Sequence, residues 1–149
     1  MRAVLQRVLS AQVMVSGAVV GTIDVGLVVL LGVESGDTDT DTAYIVSKIA
    51  DLRLFEGDDS IKERSLLETG GSALVVSQFT LLGDCRRGRR PAWSRAARPE
   101  TAIQYYNAVI RGLTERGIRV ATGVFQAHMH LSLVNDGPVT VLLDSKKVF

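Results

Sequence analysis

Two short stretches, far apart in the chain, each set small polar residues at the end of a strongly apolar, strand-like run: Ser77-Gln78-Phe79-Thr80 and Asn135-Asp136-Gly137-Pro138-Val139-Thr140. In the first, Ser77 and Thr80 offer hydroxyls and Gln78 an amide. Main-chain N–H groups leaving a strand near Phe79 and Thr80 also need new partners, and donors freed in this way can stabilise an oxyanion. The same hydroxyls can instead close an ordinary turn through side-chain to backbone hydrogen bonds. In the second stretch, rigid main-chain carbonyls at Gly137-Pro138 could accept from a ligand's ammonium group. A trans bond is the default for an X-Pro pair.

A third segment is electrostatic. Residues 86 to 98 hold six of the seventeen basic side chains and no acid. Arg86, Arg87, Arg89 and Arg90, with Arg95, Arg98 and Trp93, could hold RNA phosphates and stack a base. The competing reading is a solvated or oligomer-facing loop whose arginines pair with residues 34 to 68, where ten acids face four bases. His128 and His130 lie two apart on an expected strand and so share a face. They lack a cysteine or carboxylate at ligand spacing, which favours surface histidines over a metal site. Cys85 stands among arginines, but a lone cysteine is thin ground for a nucleophile.

The elements that must position these groups follow from patterning. Val4, Val8 and Val13 alternate loosely among polar residues up to Ser16-Gly17, and Val19 to Ile23 completes a hairpin. After Asp24-Val25-Gly26, the run Leu27 to Val33 is too short for a helix and reads as a buried strand. Ala43, Ile45, Val46, Ile49 and Leu52 recur at helical spacing behind several N-cap candidates. Residues 57 to 71 read as a long excursion. Ala73 to Phe79 is the next strand. Pro99 opens the clearest helix, closed by Gly117. Strands over about 118 to 125 and 129 to 134 then precede Val139 to Leu143 across an Asp136-Gly137-Pro138 turn. The fold class expected is α+β, a largely antiparallel, mixed and barrel-like sheet with two main helices in a single domain over 1–149.

Composition bounds the function. At 149 residues, 46% hydrophobic and 22% charged, the chain reads as globular and not disordered. A chain of this size buries about 70% of its unfolded surface. The longest apolar run, Leu27 to Val33, falls well short of the roughly 20 residues needed to cross a bilayer. Gln6 and Arg7 interrupt any leader-like segment. A single cysteine forbids an intramolecular disulfide and makes a reducing cytoplasm the default.

Taken together, Met1-Arg2-Ala3-Val4-Leu5-Gln6-Arg7-Val8, the Ser77-Gln78-Phe79-Thr80-Leu81 strand end, Gly88-Arg89-Arg90-Pro91, Ala97-Arg98-Pro99, and Ser132 through Thr140 make essentially the whole chain resemble the D-aminoacyl-tRNA deacylases. The resemblance implies a homodimeric, cytoplasmic proofreading esterase without cofactor or metal. Its substrate would be the ester between a D-amino acid, or glycine, and the terminal adenosine of tRNA. In that family the Gly-Pro peptide is cis and reaches into the other subunit's active site. Gly137 and Pro138 are therefore expected to complete a pocket floored by Ser77, Gln78, Phe79 and Thr80. Carbonyls close to the substrate α-carbon leave room for hydrogen but clash with an L side chain, so selection works by exclusion.

The resemblance further implies assistance by the terminal ribose 2′-hydroxyl, with main-chain N–H groups near Phe79 and Thr80 holding the oxyanion. Thr80 as a covalent nucleophile is the rival mechanism and needs a base that does not adjoin it in sequence. Arg7 matches the position that helps fix the Gly-Pro peptide, and Phe125 and Met129 fall where the adenosine pocket is lined. The chain departs from the family pattern at His128, His130 and Leu82-Gly83-Asp84-Cys85, which bears on pocket details. The alternatives are a noncatalytic nucleic-acid-binding dimer that works through the arginine loop, and a hydrolase using Thr80 or Cys85 on small esters.

Overall fold

The computed structural model describes residues 1–57 and 63–149. The chain opens with three strands, β1 (Arg2–Val15), β2 (Ala18–Ile23) and β3 (Gly26–Gly32), as the hairpin and buried-strand patterns require. Helix α1 (Asp39–Asp51) begins at a capped turn in which the Thr38 N–H and hydroxyl both donate to Asp41 Oδ2, at 2.8 and 2.9 Å. It buries Ile45, Val46, Ile49 and Ala50. The region read as a long excursion holds two elements not expected there, the strand β5 (Glu63–Ser65), paired with β4 (Arg53–Glu56), and the one-turn helix α2 (Leu66–Thr69). A reciprocal Ser65–Glu68 cap starts that turn, a local pattern too short to register as periodicity. Residues 58–62 of that excursion lie outside the described residues.

Strand β6 (Ser72–Ser77) ends two residues before the expected boundary, and Phe79–Leu82 is a 3₁₀ turn. Helix α3 (Pro99–Glu115) starts with proline at its first position and is followed by Gly117 at φ +86°. Strand β7 (Arg119–Thr122) is shorter than expected, and β8 (His130–Asp144) runs unbroken through the segment expected as a turn.

Strand β1 organises the sheet. One edge bonds β8 along its length, while the other is shared between β3 over residues 2–8 and β2 over residues 11–15. Strand β3 continues in parallel to β6, and β6 in parallel to β7. The sheet curls until β2 meets β7: a Cβ on Gly21 would stand 2.4 Å from the Thr122 carbonyl oxygen, so only glycine permits this approach. The result is a nearly closed, mixed barrel with two main helices against it.

Both faces of the central strands are buried, which explains their unbroken apolar runs. Leu27, Val29 and Leu31 of β3 and Ala73 and Val75 of β6 join Leu5 and the inner faces of α1 and α3 in one core. Val28, Leu74 and Val76 alternate to the other face, with Val8, Val13 and Ile23 inside the barrel.

A polar clasp joins the ends of the chain beneath α1. The Met1 ammonium group donates to Asp37 at 2.6 Å and to Ser145 at 2.8 Å. Ser145 donates onward to Asp41 at 2.6 Å, and Lys146 pairs with Asp41 at 2.7 Å. Burial alone pushes the Asp41 carboxyl up, but bonds from Lys146, Ser145 and Thr38 together hold it well below the usual range. Stabilisation from a carboxylate with a depressed folded pKa is complete above its unfolded value, 3.8, and is lost as pH falls from there toward the folded value. The urea midpoint of Asp41→Asn is therefore expected to lie below wild type at neutral pH, and the gap to narrow as pH drops below 3.8.

Candidate active site

Parallel strands β3 and β6 end at one level, with Leu31 paired to Ser77, and β7 ends two residues short of it, with Thr122 paired to Val75. Open carboxyl ends of parallel strands are where ligand crevices form. A cavity of about 690 Å³ lies there, between the strand ends, residues 93–102 and residues 125–131. Leu31, Val33, Val76, Ala102 and Leu131 make its apolar wall, while Ser77, Gln78, Gln126 and His128 bring polar groups to it.

The polypeptide leaves β6 abruptly. The Gln78 N–H still donates to Leu31 O at 2.8 Å, and the chain then winds into the Phe79–Leu82 turn. Gly32 makes this possible, because a Cβ there would meet the Gln78 carbonyl oxygen at 2.8 Å and Leu82 at 2.5 Å. The Gln78 and Thr80 carbonyls accept from Leu81 and Gly83, at 3.2 and 3.0 Å. Among the described residues the N–H groups of Phe79 and Thr80, at the start of the turn, have no acceptor. Phe79 borders the cavity and Thr80 follows it directly, and two adjacent free donors of this kind can stabilise an oxyanion.

The structure gathers Ser77, Gln78, Phe79, Phe125 and Met129 around one cavity. The Thr80 side chain is exposed, and its hydroxyl accepts from the Gln78 amide. No histidine or carboxylate among the described residues hydrogen-bonds it. His128 borders the cavity but precedes β8, so it does not share a strand with His130; the rings instead meet edge to face at 5.0 Å. Among the described residues there is no cluster of three metal-ligating side chains. Cys85 is exposed.

Two contributions were not visible in the sequence. Gln126 adopts φ +62°, a conformation its residue type does not announce. Tyr106, legible only as part of a helix face, donates its buried hydroxyl to Val75 O at 2.8 Å and ties α3 to the strand beneath the cavity. Burial pushes its phenol up to about 12, so the donor keeps its proton.

The arginine segment divides. Arg95 pairs with Glu34 at 2.6 Å, as the reading of a loop tied to the acidic region requires, and Arg86 pairs with Asp84 of its own loop at 2.6 Å. Arg87, Arg89 and Arg90 are exposed and have no carboxylate partner among the described residues.

Gly137 and Pro138 do not border the cavity of their own chain. They belong to a bulge in β8, where Thr140 pairs with Gln6 and Asn135 with Val8, leaving residues 136–139 opposite Arg7 alone. The Gly137-Pro138 peptide is cis, against the default for such a pair, and both residues are exposed. Arg7, only 8% exposed, anchors the bulge: Nε lies 2.8 Å from Asp136 Oδ2 and Nη1 donates to Leu54 O at 2.5 Å. The Asn135 amide crosses its base, donating to Arg7 O at 2.7 Å and to Val139 O at 3.3 Å.

Fold and site together define a small barrel-like α+β protein of the enzyme type, with a largely apolar pocket that has a few polar side chains and a free main-chain donor at its border. A family model described as D-Tyr-tRNA(Tyr) deacylase matches residues 4–144. Two curated relatives bear the name D-aminoacyl-tRNA deacylase. That of Thermus aquaticus is 56% identical over 147 residues, 99% of this chain and 97% of its own, and that of Syntrophotalea carbinolica is 57% identical over the whole of both chains. The chain belongs to the D-Tyr-tRNA(Tyr) deacylase family. Among solved structures, one of a c-Myc DNA unwinding element binding protein superposes with a TM-score of 0.89 at 38% identity, covering 97% of this chain and 98% of its own. One of a probable eukaryotic D-amino acid tRNA deacylase, at 18% identity, shares the fold with a TM-score of 0.82 over 95% of this chain and 97% of its own.

Val75 O also accepts from the Gly123 N–H at 3.2 Å, so losing the Tyr106 hydroxyl does not orphan it. Tyr106→Phe is accordingly expected to cost only about 1 kcal/mol, the net value of one neutral hydrogen bond, in urea denaturation.

Proposed function

We propose that this chain is a D-aminoacyl-tRNA deacylase that hydrolyses the ester between a D-amino acid, or glycine on a non-cognate tRNA, and the terminal adenosine. The observation that carries the mechanism is the pair of unpartnered N–H groups at Phe79, which borders the cavity together with Phe125 and Met129, and at the adjacent Thr80. Water adds to the ester carbonyl, assisted by the terminal ribose 2′-hydroxyl. The oxyanion rests on the two N–H groups. Collapse of the tetrahedral intermediate releases the amino acid, and the ribose 3′-oxygen takes up the proton. The aminoacyl ester is already activated, so positioning and charge stabilisation suffice. Arg87, Arg89 and Arg90 contribute positive charge for the tRNA backbone, and Arg86, paired with Asp84, stands beside them.

Chirality is read by a second copy of the chain. Gly137 and Pro138 are exposed on an anchored bulge and remote from their own cavity, which suits them to enter a partner's. Their carbonyls leave room for a hydrogen on the substrate α-carbon and exclude an L side chain. The outer edge of β8 favours such a partner, since it is unpaired among the described strands and exposes Val134 at 53% and Leu142 at 60%. The resulting homodimer serves proofreading in the cytoplasm.

Release of amino acid from matched D- and L-aminoacyl-tRNA tests this reading, with an enzyme-free control. Wild type is expected to release the D form alone, and no release above background sinks the proposal. Arg7→Met frees the bulge and is expected to lower the D-to-L ratio by about 10- to 100-fold, the penalty of a positioning group displaced by roughly 1 Å. Thr80→Val keeps the main-chain donor and is expected to stay within about tenfold of wild type. A loss on the order of 10⁶, as for a deleted covalent nucleophile, would instead assign that role to the hydroxyl.

A further inference from the structure

The segment from Asp84 to Ala92 leaves the rim of the cavity and returns to it. A two-way main-chain bridge closes it, with Asp84 N–H donating to Ala92 O at 2.8 Å and Ala92 N–H to Asp84 O at 3.0 Å. Trp93 follows directly. Its ring lies on Gly83, where a Cβ would stand 2.5 Å from Cζ3, so a larger residue at position 83 would displace it. It also meets the Phe79 ring edge to face, with centroids 5.5 Å apart and planes at 73°. Despite these contacts Trp93 and Phe79 remain 41% and 58% exposed as residues, at the border of the cavity.

Contiguous exposed apolar surface rimmed by polar residues marks a binding site, and the two touching rings form such a patch at the cavity border. Here they adjoin the three guanidinium groups of Arg87, Arg89 and Arg90 that lack carboxylate partners among the described residues. Single-stranded nucleic acid is recognised by that combination, in which bases stack on aromatic faces while cations track the backbone. The geometry points to Trp93, braced by Phe79 and Gly83, as the stacking platform for the nucleotide base that precedes the terminal adenosine of the bound RNA. This rests on the deacylase reading, which places that adenosine in the cavity next to Phe125 and Met129. The preceding base then falls at the rim, on the side of the arginine loop. Because every base has a π face, the platform is tolerant of base identity, and it adds affinity without reading sequence.

Trp93 is the chain's only tryptophan, so emission excited beyond the tyrosine absorption band reports on it alone. The probes are a single-stranded RNA tetranucleotide ending in adenosine and the same molecule with an abasic site before the adenosine. The intact probe is expected to quench the emission and to bind about 5- to 150-fold more tightly than the abasic one, the range for one base–aromatic stack. Trp93→Ala, with its fold checked by circular dichroism, is expected to make the two probes equal in an anisotropy assay, and Trp93→Phe to restore most of the difference. Added salt should weaken both probes in parallel. Equal affinities of the two probes for wild type, absence of quenching, or emission that changes with protein concentration alone would each overturn the platform. The last outcome would show a second copy covering the ring. D-aminoacyl-tRNA release is measured on the same preparation. Release with equal probe affinities removes the platform only, whereas no release removes the reading beneath it.

Discussion

Arg7 and the strand that carries it set the geometry on which the rest of the molecule depends. Strand β1 is hydrogen-bonded on both edges, to β8 along one and to β3 and β2 along the other. Pairing on both sides leaves no freedom to slip by a residue, since a slip would turn Leu5, Val8 and Val13 out of the core. The extra residues of β8 must therefore leave the ladder, and they do so opposite Arg7. A buried guanidinium is costly unless it is paired. Asp136 and two main-chain carbonyls satisfy it, and the same bonds hold the bulge rigid. One charged side chain thus closes the barrel wall and presents Gly137 and Pro138 to solvent.

The pocket arises from a second constraint, close backbone approach in the parallel half of the sheet. A Cβ on Gly26 would lie 1.9 Å from Ser72 O, so β3 and β6 can only pair this tightly with glycine at their start. Gly32 and Gly83 then allow the 78–82 turn and the Trp93 ring to close over the strand ends. Tyr106 secures the floor from the helix layer. The cavity accordingly has apolar walls, a few polar side chains and, at Phe79 on its border, a free main-chain donor. That suits a reaction in which the substrate is already activated and charge stabilisation is what the protein must supply.

Much of this was legible in the residues. Alternation and turn chemistry placed β1, β2 and β3, and 3.6-residue spacing with Pro99 and Gly117 placed α3. The Ser77-Gln78-Phe79-Thr80 and Gly137-Pro138 motifs stood out because small polar residues end apolar runs there. Other features escaped for physical reasons. A three-residue strand and a one-turn helix over 63–69 are shorter than any period that could reveal them. The segment 135–138 carries every local mark of a hairpin turn, yet β8 continues through it, because both of its flanks find partners on the one strand β1.

Local chemistry in the chain decided the element types, the buried character of β3 and β6, the strand-end motifs and the uneven charge, because periodicity, capping and turn preferences act between near neighbours. The family resemblance was also readable at this level, since it rests on motifs in order. Tertiary structure alone decided which motifs meet. It brought Phe125 and Met129 to Ser77, Gln78 and Phe79 and set Arg7 against Asp136. It also separated Gly137 and Pro138 from the cavity of their own chain. Those outcomes depend on which strands share an edge and in what register, a choice made by long-range pairing and by close approaches at single glycines, which no local pattern encodes.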